Sequence, residues 1–426
     1  DIAAQSVLNA ATGGNSKATE LWFLSGLVAL KRRNLRKAIG SFRTAARIAD
    51  RNPVFQHALG ITYAVDRQYE NAKVALRTAL ALAPHCPDTV NALARVLIDS
   101  GASDEAIDLL ESNVEEFSGN DESRDLLARA YSAKGRHQLA QYQLKQLLNN
   151  STRLSLGQRV RTLNTLAESY MHSGKPKEAE LALKRAINIG PEESVVPYDN
   201  LGRLYIYHFE RLDDALAILT AGLKLFPSRQ STGVLLAITY AANGDPDKAI
   251  AQLEPFWIAG AAIEDCYVCL GWLYGEHGNV AGAIRVLTEG LDRFPDSKPI
   301  VNNLAYTYLM DGQVENAGVI LDPLPDTSLL HPELIATYGL LALWRGDYVE
   351  GERLYERAEE AATRSGDDYK RKRAGQKKHL ELARFWKRNG DFARARNEIR
   401  SGLAVRDYPL SFKSELEELA EDLSLE

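Results

Sequence analysis

One demand recurs along this chain about every 34 residues: a side chain no larger than a methyl group. With unit starts at 19, 53, 87, 121, 160, 195, 230, 264, 298, 332 and 376, the eighth position holds Gly26, Gly60, Ala94, Ala128, Ala167, Gly202, Ala237, Gly271, Ala305, Gly339 and Ala383. The twentieth position repeats it with Ala38, Ala72, Ala106, Ala140, Ala179, Ala249, Ala283, Ala317 and Ala395. Gly351 serves in the tenth unit, and Ala215 arrives one residue late in the sixth. Two helices that cross closely need such gaps, because a larger side chain would push them apart. This period marks a helix-turn-helix array in which each hairpin stacks on its neighbours to cover an apolar face.

The fifteenth position supplies the turns. It is glycine in eight units, Gly101, Gly135, Gly174, Gly244, Gly278, Gly312, Gly346 and Gly390. Glycine past a helix end takes the left-handed conformation that closes the helix. Pro84, Pro191, Pro227 and Pro295 stop second helices and open the next units.

The clearest unit runs from Pro53 to Cys86, where Leu59-Gly60, Tyr63, Ala72, Leu76, Ala79 and Pro84 follow in order. This order resembles the tetratricopeptide repeat family, and the shared register extends over residues 19–402. The resemblance implies an all-α fold: a right-handed superhelical solenoid of about eleven helix-turn-helix hairpins with a C-terminal capping helix. Residues 1–16 read as the second helix of a truncated repeat, with Ala4, Leu8 and Ala11 in register. The start at Asp1 suggests a piece of a longer protein. Residues 17–360 hold repeats one to ten, and 361–426 hold an insertion, repeat eleven and the cap. Phe412, Leu416, Leu419 and Leu423 line one face of that cap. Insertions fall around Leu148–Arg159 and Ala361–Gly375. The second should lengthen helices, with Asp367 or Asp368 capping a helix that runs through Trp386.

Charge and motifs exclude several functions. A net charge of −6 and a pI near 5.9 give no overall positive field for nucleic acid. No apolar run approaches the roughly 20 residues of a membrane span. Three cysteines form no disulfide framework and lean towards a reducing, cytoplasmic compartment, with the periplasm as the alternative. No phosphate loop, nucleophile elbow or metal-ligand spacing occurs, so neither catalysis nor a cofactor or metal is expected. Cys266 and Cys269 have redox spacing but read as core packing. The basic run Lys370, Arg371, Lys372, Arg373, Lys377 and Lys378 could bind an acidic partner or nucleic acid, but reads better as a solvated helix face. Asn149 and Asn150 begin glycosylation acceptor sequences, relevant only in a eukaryotic secretory setting.

In the resembling family, first helices line the inner surface, with positions two, five, nine and twelve facing the groove. Carried over, that register gives a polar stretch of Asn91, Arg95, Asp125, Arg129, Arg161, Asn164, Glu168, Asp199 and Arg203. Its arginines and amides suit a peptide's carboxylates and backbone, unless Arg129 and Arg203 pair with Asp125 and Asp199 one turn earlier. An apolar, aromatic stretch follows with Val234, Ile238, Val268, Trp272, Asn302 and Tyr306, in which Trp272 and Tyr306 are the anchor candidates unless local curvature buries both within the stack. The family's chaperone-tail clamp is missing, since position five never holds lysine and position nine never asparagine. Its asparagine ladder survives only as Asn200 and Asn303. The expected function is a scaffold that binds a protein or peptide partner in the groove; the alternative is the recognition arm of a larger enzyme or sensor.

Overall fold

A computed structural model describes residues 15–116, 121–149, 154–324, 331–364, 368–405 and 412–424. The truncated repeat expected before residue 15 lies outside them. Among the described residues there are twenty-three α-helices and no strand. The chain divides into two compact units, Asp1–Pro197 and Tyr198–Glu426.

The N-terminal unit stacks five hairpins. Their first helices are α1 (Asn15–Lys31), α3 (Pro53–Val65), α5 (Pro87–Asp99), α7 (Asp121–Ala133) and α9 (Leu156–His172). Their second helices are α2 (Leu35–Ile48), α4 (Tyr69–Leu82), α6 (Ser103–Glu116), α8 (His137–Asn149) and α10 (Pro176–Ile189). The extra residues near 150 lengthen α9, which starts at Leu156 behind a capping box made by Ser155 and Gln158.

The helix α11 (Val196–Leu204) leads into the C-terminal unit. There follow α12 (Leu212–Leu225), α13 (Gln230–Ala242), α14 (Pro246–Ile258), α15 (Glu264–Glu276), α16 (Val280–Arg293), α17 (Lys298–Met310) and α18 (Val314–Leu321). The last hairpins are α19 (Pro332–Trp344) with α20 (Tyr348–Arg364) and α21 (Asp368–Arg388) with α22 (Phe392–Leu403), and α23 (Lys413–Ser424) ends the chain. The second insertion does lengthen helices: α20 has 17 residues and α21 has 21. Asp367 lies outside the described residues, whereas Asp368 opens α21 and accepts from Arg371.

The small eighth position proves to be a socket. A Cβ on Gly26 would meet the Phe42 ring at 2.5 Å, one on Gly60 would meet Leu76 Cγ at 2.5 Å, and one on Gly271 would meet Leu287 Cγ at 2.5 Å. Each intruder stands at the twenty-fourth position of the paired helix and is fully buried. Such a leucine contributes about 1.5–3 kcal/mol by leaving water. In the sixth unit the residue that delays Ala215 is absorbed as a π-helical turn, Tyr205–Phe209, and the Arg211 guanidinium stacks 4.6 Å over the Tyr205 ring.

All eight fifteenth-position glycines are left-handed, from φ +67° at Gly174 to +85° at Gly346. Where glycine is missing the turn keeps its shape: Arg33, Arg67 and Glu210 adopt φ 57°, 58° and 53°. At the far end Phe412, Leu416, Leu419 and Leu423 pack on Leu380, Ala383, Ala395 and Ile399, so α23 closes the apolar face of the last hairpin.

Candidate partner-binding surfaces

In the N-terminal unit the successive first helices bring their ninth positions into one row. Arg95 lies in α5, Arg129 in α7 and, at the second position, Arg161 in α9. With Glu122 and Asp125 they line an open recess of about 600 Å³. Arg95 donates to Glu122 at 2.5 Å, and Arg129 approaches Asp99 at 3.8 Å, so its ion pair reaches to the preceding hairpin rather than to Asp125. Among the described residues no carboxylate comes within 4.0 Å of the Arg161 guanidinium. Burial raises the pKa of Asp125, against the pull of Arg129, Arg161 and Arg95.

The two asparagines of this stretch face inwards. Asn91 is 3% exposed and its Oδ1 accepts from Ser123 Oγ at 2.6 Å, tying α5 to α7. Asn164 is also buried and donates to Glu168 Oε1 at 2.8 Å. The row continues in the other direction with Leu27 and Ile61, the ninth positions of the first two units, and both are exposed, as is Val54. All three stand at groove positions of the repeat register, so the register itself contains this signal.

In the C-terminal unit Asp199 accepts from Thr232 Oγ1 at 2.7 Å and Ser231 Oγ at 3.4 Å, and burial raises its pKa. Arg203 is exposed and Asn200 half-buried. Val234 is buried, and Ile238, Val268 and Trp272 pack partly covered against the core around Leu270. Asn302 accepts from Thr337 Oγ1 at 2.7 Å and donates to Asn303 Oδ1 at 3.1 Å.

Tyr306 has a cover that the repeat register does not contain. Its hydroxyl donates to Glu381 Oε1 at 3.1 Å, and Lys377 Nζ stands 4.0 Å over its ring. Burial, then the Glu381 charge, raises its pKa well above the usual tyrosine value. Both covering residues belong to α21. The basic run is therefore only partly a solvated face: Arg371 is exposed, whereas Arg373, Lys377 and Lys378 are partly covered. Arg373 stacks 4.6 Å from the Phe412 ring, Lys378 pairs with Glu359 at 2.8 Å, and Arg371 and Lys372 bind Asp368. Those bonds hold the Asp368 carboxyl down to about 2.

Cys266 and Cys269 lie in the core cluster around Leu270, and burial pushes their thiols up to about 11 and about 12, so both stay protonated at neutral pH. No described helix is long and apolar enough to cross a membrane.

Tetratricopeptide repeat models match residues 66–129, 160–193 and 230–255. These matches fall on hairpins of the repeat, so the chain carries tetratricopeptide repeats. Similar solved structures include a tetratricopeptide repeat protein from Parabacteroides merdae, 17% identical, with a TM-score of 0.46 over 57% of this chain and 93% of that one. Yeast Tom70 is 14% identical, with a TM-score of 0.44 over 97% of this chain and 96% of its own. A thermophilic repeat protein of Thermus thermophilus is 22% identical, with a TM-score of 0.36 over 44% and 99%. No curated protein matches the chain.

Proposed function

We propose that this chain is an interaction scaffold which holds an extended segment of a partner protein across the first helices of its N-terminal unit. The segment is acidic where it meets Arg95, Arg129 and Arg161 and apolar where it meets Leu27, Val54 and Ile61. The observation that carries this reading is the open recess around Asp125, in which no carboxylate of the described residues contacts Arg161. Arginine forks bind carboxylates in a fixed, bidentate geometry, and exposed guanidiniums are cheaper to recruit than ones already locked in buried pairs. The exposed aliphatic residues beside them give the partner an area to cover.

The test compares proteins captured by the intact chain with those captured by an Arg95→Glu, Arg129→Glu, Arg161→Glu variant whose helical circular dichroism is unchanged. The reading expects the partner to be lost from the variant and its complex with the intact chain to weaken as salt is raised. Capture indifferent both to the three reversals and to salt would sink it.

A further inference from the structure

The helix α21 cannot swing away from Tyr306. Its Leu380, Leu382 and Ala383 are each at most 2% exposed, and Gln376 is pinned at both ends. Gln376 Nε2 donates to the Gly402 carbonyl at 3.3 Å, and its Oε1 accepts from the Phe412 amide at 2.7 Å. The helix therefore stays over Tyr306. Beside it lie a recess of about 150 Å³, with room for a compact molecule, and a second of about 290 Å³ that shares Trp272, Glu276, Asn303 and Tyr306 with it.

The walls of this recess carry opposite charges. Arg373 and Lys377 stand one turn apart on α21, while Glu276 at the end of α15 and Glu333 in α19 come from the other side. Trp272 and Tyr306 supply aromatic surface between them. Lys377 is the unusual member. Its ammonium rests on the Tyr306 ring, and among the described residues no carboxylate lies within 4.0 Å of it. Burial pulls its pKa down to about 8, against the opposite pull of Glu381, Glu276 and Glu333. Glu276 stays open on one side, yet the protein crowded around its carboxylate raises its pKa.

A simple anion would satisfy Lys377 but be repelled by two glutamates; a simple cation would meet Arg373 and Lys377. A molecule bearing both charges a few bonds apart answers both walls. We propose that this recess binds a small zwitterion of amino-acid size, with its carboxylate on Lys377 and Arg373 and its ammonium between Glu276, Glu333 and the face of Trp272. This site is separate from the N-terminal surface, and either stands if the other fails.

Titration calorimetry of the full chain with glycine, L-leucine and L-phenylalanine, each beside its N-acetyl and amide form, tests the assignment. Binding of at least one free amino acid at millimolar concentration, lost on blocking either end, is expected. Lys377→Met keeps the stem over Tyr306 and should weaken binding about tenfold or more, and Glu276→Gln should weaken it by losing the ammonium contact. Affinity should also fall as pH rises through about 8, because neutral Lys377 cannot hold a carboxylate. No heat from any free amino acid, equal binding of the blocked forms, or undiminished binding by both variants with intact circular dichroism would each overturn it.

Discussion

Tyr306 in α17 and Glu381 in α21, 75 residues apart, share a hydrogen bond of 3.1 Å, and Arg384 Nη1 donates to the same carboxylate oxygen at 3.0 Å. Glu381 is 2% exposed, so both donors serve a buried charge. Tyr306→Phe removes one of them without opening space. It should destabilise the C-terminal unit by about 1–3 kcal/mol, read as a lower urea midpoint. Arg161→Ala, in contrast, should leave the midpoint within about 0.5 kcal/mol because Arg161 is exposed and makes no ion pair among the described residues.

That bond explains what the sequence could not disclose about the groove. A repeat register predicts contacts between neighbouring hairpins, which lie about one period apart, as Ser123 meets Asn91 across 32 residues. Tyr306 and Glu381 are separated in sequence by three helices, α18, α19 and α20, and the lengthened α21 reaches back to α17. The expectation that Trp272 and Tyr306 line an open wall came from their position alone. The extra residues near 370 were legible as a longer helix, but not the direction in which it would lie. Helix boundaries, sockets and turns were legible because each depends on local sterics repeated many times.

The turns themselves offer a test. Left-handed φ costs a side-chain-bearing residue about 1 kcal/mol or more, and Arg33 and Arg67 hold it where eight sister units have glycine. Arg33→Gly and Arg67→Gly should therefore each stabilise the N-terminal unit by about 1 kcal/mol, a higher midpoint in thermal or urea unfolding. The reverse change, Gly174→Ala, meets no steric neighbour and should cost about the same through φ alone.

The sockets give the opposite sign. In Gly60→Val the new side chain must displace Leu76, which has no exposed surface to retreat to. Overpacking of this kind costs about 1–3 kcal/mol. Because stability in a stacked array is a sum of local terms, hydrogen exchange should quicken first in α3 and α4 and only later in distant hairpins.

Acid should weaken the N-terminal unit through two histidines. Burial lowers the pKa of His57, whose Nδ1 lies 3.1 Å from Thr89 Oγ1 in the next hairpin, against the pull of Asp88. Burial, then the His172 ring stacked at 5.2 Å, lowers that of His137. A histidine with a depressed folded pKa takes up its proton more readily when unfolded. Its stabilising contribution is whole above the unfolded value of 6.5 and is lost as pH falls from there through the folded value. The urea midpoint of the intact chain should be lower at about pH 5 than at about pH 7.5. The difference should shrink in His57→Gln and shrink further when His137→Gln is added. If the double variant keeps the full pH dependence, the acid sensitivity belongs to other groups, with the raised carboxyls of Asp125 and Asp199 excluded by sign, since protonating them on folding favours the native state as pH falls.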